Sequence, residues 1–222
     1  MLISLSKQFI FIATPKTASS AIENYLRRFA EIRLTRTPWG KHMSLAEVEK
    51  NFLWLQLRLP EMRPFVFGVV RDPVDYVLSI YNSHRKPAFA NLPQYTGNTS
   101  FVSFWPEFSR RRLGWLLQPQ ISRFLRADGQ LGADCIIDYA HLHTAWPLLC
   151  QRLDVPEEPL KLANTSPKDA RREDVPTAMM AEIYDHFAED VKALELSWRG
   201  SSDSLQIDKN KALATLLVAQ GK

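Results

Sequence analysis

Two short stretches of the chain place a cation and hydroxyls directly after a run of apolar residues. The first is Thr14-Pro15-Lys16-Thr17-Ala18-Ser19-Ser20, which follows Phe9-Ile10-Phe11-Ile12-Ala13. The second is Arg71-Asp72-Pro73 with Ser79 and Tyr81 beyond it, and it follows Phe65-Val66-Phe67-Gly68-Val69-Val70. A turn that opens a helix presents backbone N–H groups that no intrahelical carbonyl satisfies. A lysine and hydroxyls beside such a turn make a cradle for phosphate or sulfate. A guanidinium at a strand end, with a hydroxyl two turns into the next helix, suits a second anionic group. One nucleotide carrying two separated anions satisfies both turns. The first stretch is not a Walker A loop, because GxxxxGK[ST] is absent and Lys16 precedes the small residues.

These residues need elements that hold them together, and the patterning supplies two similar units. Residues 8–13 read as a short buried strand, and Ala21, Ile22, Tyr25, Leu26 and Phe29 then recur at helical spacing from Ser19 onward. Residues 65–70 read as a second buried strand, with Val74, Val77, Leu78 and Tyr81 as the apolar stripe of the helix after it. Between the units, Ser44 caps a helix bearing Leu45, Val48 and Phe52, and Glu47 completes a capping box. In an open parallel sheet, ligands bind outside the carboxyl ends of the strands, so both turns face one crevice.

Further along, residues 86–100 contain Pro87, Pro93 and Gly97 and read as a long loop, a candidate acceptor-binding lid, before a helical segment over 101–111. A third strand is expected at 135–138, then a helix with Leu142, Trp146, Leu149 and Leu153, then an amphipathic helix over 176–194. The expected fold is one three-layer α/β/α domain over residues 1–200, with a mainly parallel central sheet similar to P-loop NTPases. Residues 201–222 read as a tail, a loosely attached helix at most.

With 222 residues and 45% hydrophobic content, the chain can bury one sizeable core. A formal charge of +4 fits an anionic ligand and falls short of the basic blocks of nucleic-acid-binding tails. The apolar run near the start is too short for a membrane span and lacks a signal-peptide layout, so a cytoplasmic protein is expected. Cys135 and Cys150 are too few for a disulfide framework and read as buried thiols. His141 and His143 stand two apart and do not share a helix face as metal ligands would.

Pro15-Lys16-Thr17-Ala18-Ser19-Ser20 resembles the 5′-phosphosulfate loop of sulfotransferases, and Arg71-Asp72-Pro73 with Ser79 and Tyr81 resembles their 3′-phosphate motif. A weaker resemblance runs from Gln120 through Asn164-Thr165-Ser166. The resemblance implies 3′-phosphoadenosine 5′-phosphosulfate (PAPS) as sulfuryl donor. It places Lys16 on the phosphosulfate bridge, Thr17, Ala18, Ser19 and Ser20 around the 5′ phosphate, and Arg71 and Ser79 on the 3′ phosphate. Asn164, Ser166 and Lys168 fall where relatives close a loop over the nucleotide. Lys41-His42-Met43-Ser44 resembles the stretch where carbohydrate-type members place a catalytic histidine, so His42 is the expected general base and His84 the second choice. The implied reaction is in-line sulfuryl transfer to a hydroxyl or amine of a carbohydrate or small molecule, and it calls for no metal. Two departures stand out: Tyr76 where many relatives carry arginine, and Ala18-Ser19 where they carry glycines, whose β-carbons restrict the backbone.

Plainer roles compete for some of these residues. Tyr81, Trp105 and Trp115 read as packing residues, and Arg110-Arg111-Arg112 as a solvated helix end. Two other functions are open: a nucleotide-dependent small-molecule kinase, against which the missing Walker A loop weighs, and a non-catalytic nucleotide-binding scaffold.

Overall fold

The computed structural model describes residues 1–35, 40–110, 116–161 and 169–199. Its sheet has five strands in the order β3-β1-β2-β4-β5. These are β1 Leu2–Ser4, β2 Phe9–Ile12, β3 Ile32–Arg33, β4 Phe65–Val70 and β5 Cys135–Asp138. β2, β4 and β5 run parallel, whereas β1 is antiparallel to both β2 and β3. The sheet is therefore mixed: the expected parallel part is the half that bears the motifs. β1 and β3 have three and two residues, too few to show a period in the sequence.

Strands covered on both faces are apolar throughout, and all six residues of β4 are buried. Alternation divides the side chains between two cores. Phe9, Phe11, Phe65, Phe67, Cys135 and Ile137 pack with α1 (Ser19–Leu26) and α5 (Leu142–Arg152). Ile10, Ile12, Val66, Val70 and Ile136 pack on the other face with α2 (Leu45–Arg58), the 3₁₀ turn Gln120–Phe124 and a later helix. Helices thus cover both faces. A third cluster joins α3 (Pro73–His84) to α4 (Phe101–Arg110) and α6 (Thr177–His186).

Three local features set the geometry of the site. Ile12 lies opposite Gly68 in the β2–β4 ladder, so the turns after the two strands emerge together. Gly68 is required there: a Cβ would meet the Phe124 ring at 2.4 Å and the Ile12 carbonyl at 2.8 Å. The absent side chain lets the Gln120–Phe124 turn lie on β4. The third feature corrects the single helix expected over 176–194. Phe187, at φ −108° and ψ 35°, breaks it into α6 and α7 (Ala188–Leu196). Its fully buried ring packs edge-on to Tyr76, with centroids 5.8 Å apart, and the break turns α7 toward the sheet.

The capping box at Ser44 is present, with the Glu47 N–H donating to Ser44 Oγ at 3.3 Å and the Ser44 N–H to Glu47 Oε2 at 2.6 Å. The 86–100 segment folds back on α3, where buried Thr96 donates to the Tyr81 carbonyl at 2.8 Å and accepts from Arg85 at 2.9 Å. Trp105 and both cysteine side chains are buried. Burial pushes the Cys135 thiol up to about 12 and the Cys150 thiol to about 11. Among the described residues no helix is long and apolar enough to cross a membrane. The tail at 201–222, Arg111, Arg112 and Trp115 lie outside the described residues.

Candidate functional site

β2 delivers the chain into a turn that is unusual for residues with side chains. Lys16 has φ 61° and Ala18 φ 57°, both left-handed. For residues other than glycine this costs roughly 1–2 kcal/mol each. The Thr17 hydroxyl helps hold the turn by donating to the Thr14 carbonyl at 2.9 Å, so Thr17 retains only its backbone N–H for a ligand. Ala18 thus takes the glycine-like path despite its β-carbon. It stands at the N-cap of α1 with no side-chain cap bond, while its own carbonyl accepts from the Ala21 N–H at 2.8 Å.

β4 delivers Arg71 beside that turn. Its Nη1 donates to the Lys16 carbonyl at 3.2 Å, and its guanidinium carbon lies 4.5 Å from the centre of the Tyr139 ring. Arg71 Nε is buried with no hydrogen-bond partner among the described residues. An unsatisfied buried donor costs about 1–3 kcal/mol, and more on a charged group. An anionic oxygen is one kind of acceptor suited to such a donor. Asp72 does different work: its Oδ1 accepts from the N–H groups of Val74 at 3.0 Å and Asp75 at 3.2 Å, capping α3.

The Lys16 ammonium crosses to α3 and donates to Ser83 Oγ. Burial first, then the charges of Lys86 and Arg71, pulls its pKa down to about 8, and it remains mostly protonated at neutral pH. Ser79 is half-buried and stands four residues before Ser83, hence on the same face of α3. Ser20 Oγ accepts from Lys41 Nζ at 2.6 Å, and Lys41 also pairs with Glu23 at 3.2 Å. Burial works to raise the Glu23 carboxyl, but Arg33, the N-terminus and Lys41 together hold it below its usual range.

His42 stands against the end of β2, with Nδ1 2.6 Å from the Ala13 carbonyl. A carbonyl only accepts, so Nδ1 carries the proton and Nε2 the lone pair of the neutral ring. Burial pushes His42 down to about 4, over the opposing pull of the Ala13 bond, and Lys41 and Arg123 add to the fall. The backbone carbonyl of His42 accepts from Arg123. Burial and then Lys16 likewise push His84 down to about 4, and its ring lies 5.1 Å from that of Phe89. Both histidines are therefore neutral at pH 7.

The turn residues Lys16, Thr17, Ala18, Ser19 and Ser20 and the cation Arg71 come together, with His42 beside them at the end of β2. Tyr81 belongs to the core, its hydroxyl donating to the Thr99 carbonyl at 2.7 Å. Tyr76 is 1% exposed and donates to the Leu116 carbonyl at 3.1 Å, so it packs where an arginine would have added charge. Asn164, Ser166 and Lys168 lie outside the described residues. Sequence reasoning missed Ser83, Lys41 and Lys86 as neighbours of the turn after β2. The four-residue step from Ser79 and the adjacency of Lys41 to His42 were the available signals. Comparison with protein-family models, curated proteins and solved structures finds no match.

Proposed function

We propose that this chain is a sulfotransferase that moves the sulfuryl group of PAPS onto a hydroxyl or amine of a carbohydrate or another hydroxylated small molecule. The observation that carries the reading is the meeting of two cations, Lys16 and Arg71, on adjoining ends of β2 and β4, with one buried guanidinium donor unsatisfied. The uncapped start of α1 supports it by adding backbone donors to the same place. The parallel β2-β4-β5 segment with helices on both faces is what a P-loop-like sheet needs. A cytoplasmic setting, with two unpaired buried thiols, belongs to the same reading.

The residues fit the donor. Lys16 and the N–H groups from Thr17 to Ser20 hold its 5′ phosphosulfate end. Arg71, with Ser79 on the neighbouring helix, holds the 3′ phosphate. Bound there, PAPS supplies an activated sulfuryl group and a stable nucleotide leaving group. His42 Nε2 takes the acceptor's proton as the acceptor oxygen or nitrogen bonds to sulfur and the bond from sulfur to the phosphate oxygen breaks. Lys16 and the α1 N–H groups neutralise the charge that returns to the phosphate. Asn164, Ser166 and Lys168, outside the described residues, are proposed as further nucleotide contacts.

Titration calorimetry of the purified chain with 3′-phosphoadenosine 5′-phosphate (PAP) and, separately, with ATP and magnesium tests the nucleotide. The expected result is PAP binding that weakens in Arg71→Ala. Equal preference for ATP with magnesium, or no binding of PAP, overturns the proposal in favour of a kinase or another role. His42→Ala should abolish sulfuryl transfer and keep PAP affinity, whereas a binding scaffold has no turnover to lose.

A further inference from the structure

The turn that bears Arg71 is braced from a part of the chain more than a hundred residues away, through a route that the proposed chemistry does not use. Gln120 grips the backbone of Arg71 twice. Its Oε1 accepts from the Arg71 N–H at 3.0 Å, and its Nε2 donates to the Arg71 carbonyl at 2.8 Å. Gln120 is itself held by Asp190 of α7, whose Oδ2 accepts from the Gln120 N–H at 2.9 Å and from Nε2 at 3.3 Å. Asp190 Oδ1 accepts from the Ile121 N–H at 2.9 Å. Asp190 is completely buried and Gln120 is 1% exposed. A buried carboxylate is costly unless its lone pairs are used, and here both oxygens are. The amide orientation follows from the same bonds: Nε2 must face a carbonyl and a carboxylate, and Oε1 an N–H.

Resting on the reading of Arg71 as a nucleotide ligand, we propose that Asp190 is a positioning residue for the 3′-phosphate half of the site. It acts through Gln120 to fix the direction in which the Arg71 guanidinium leaves β4. The chain of bonds runs from buried Asp190 of α7 through buried Gln120 to half-buried Arg71 at the end of β4. It fixes both the N–H and the C=O of Arg71, hence the backbone angles from which the side chain starts. The break at Phe187 matters here because α7, turned out of the line of α6, brings Asp190 under the Gln120–Phe124 turn.

The test is a double-mutant cycle read with two nucleotides, PAP and adenosine 5′-monophosphate, which lacks the 3′ phosphate. Asp190→Asn should weaken PAP binding roughly tenfold, the scale of a charge-assisted hydrogen bond, and leave the monophosphate unchanged. In an Arg71→Ala background the same substitution should weaken PAP no further. Gln120→Met, which keeps the volume and leaves the Asp190 bonds to the Gln120 and Ile121 N–H groups in place, should reproduce the PAP-selective loss if Asp190→Asn does not fold. Equal losses for both nucleotides, or full additivity with Arg71→Ala, overturn the proposal and leave Asp190 a purely structural residue. If the wild-type chain binds no PAP, the nucleotide reading itself falls. The Arg71 Nε–H resonance in the ligand-free protein then decides separately: a shift in Asp190→Asn supports the positioning role, and an unmoved signal ends it.

Discussion

The turns after β2 and β4 follow one plan, a buried parallel strand running into a helix, yet they solve the helix N-terminus in opposite ways. At α3, Asp72 occupies the cap, Pro73 removes one N–H, and Val74 and Asp75 donate to the Asp72 carboxylate. At α1, Ala18 has no side chain able to accept, and the backbone bends into the left-handed region instead. A capped terminus has its first donors satisfied internally, so anion recognition there falls to a neighbouring side chain, the role proposed for Arg71. A terminus with no side-chain cap leaves main-chain donation to an anion open, which is the role proposed for α1. In the proposed reading the two turns divide the work, main chain at one and guanidinium at the other. Their support differs accordingly: left-handed backbone, the Thr17 hydroxyl and bonds from Arg71 and Lys41 at the first, a buried polar brace from α7 through Gln120 at the second.

The largest expected effect comes from removing the one charge of the backbone-based turn. Lys16→Ala should slow sulfuryl transfer by about 10²–10³-fold at saturating donor, the usual loss for one donor to developing charge. Steady-state rates in the two proteins check this, and a loss confined to donor affinity would move Lys16 from the reaction to binding alone. Next comes acid stability. His42 and His84 are held near 4 in the folded chain against an ordinary 6.5. Between those pH values the unfolded chain takes up protons that the folded chain refuses. Stability is thus complete above about pH 6.5 and falls as pH drops toward 4, by roughly 1–3 kcal/mol for His42. Melting temperature against pH should show that slope flattened in His42→Asn, and an unchanged slope would remove the histidine from the account.

The braced turn should tolerate loss of its cap less well than the open turn tolerates a change at Ala18. Asp72→Ala removes the carboxylate oxygen that accepts from two backbone N–H groups, and the partner of Arg172 at 2.6 Å and of the Tyr184 hydroxyl at 2.8 Å. A loss of about 1–2 kcal/mol in urea unfolding is expected, mostly from the cap because the Arg172 pair is partly exposed. Ala18→Gly should go the other way. Relief of the left-handed strain is offset in part by a freer unfolded chain, for a gain of about 0.5–1 kcal/mol with PAP affinity retained. If Ala18→Gly destabilises the chain, the open turn is not held in the conformation described.

Three strands, β2, β4 and β5, were legible because they are buried on both faces, whereas β1 and β3 were not legible. Phe65–Val70 and Cys135–Asp138 fall where continuous apolar runs place them, and Ser44 and Glu47 announced their helix by local bonds alone. The cradle residues were legible for the same reason: a lysine or arginine next to the end of such a run has a fixed position relative to the sheet. His42 was legible only as a residue type near a cap. Its contact with Ala13 depends on how the segment after β3 returns to β2.

What the sequence determined by itself, then, is each unit of strand, turn and helix, because burial pattern, capping and turn chemistry act over a few residues. That the two turns face one crevice was expected from their places at strand ends, and tertiary structure decided which side chains and carbonyls meet there. Arg71 beside Lys16 follows from the β2–β4 register, and Ser83 under Lys16 from how α3 lies on the turn. Asp190 beneath Gln120 follows from a helix broken at Phe187. A buried carboxylate with both oxygens satisfied leaves no trace in hydrophobic periodicity, since its partners are distant backbone N–H groups that every residue but proline carries.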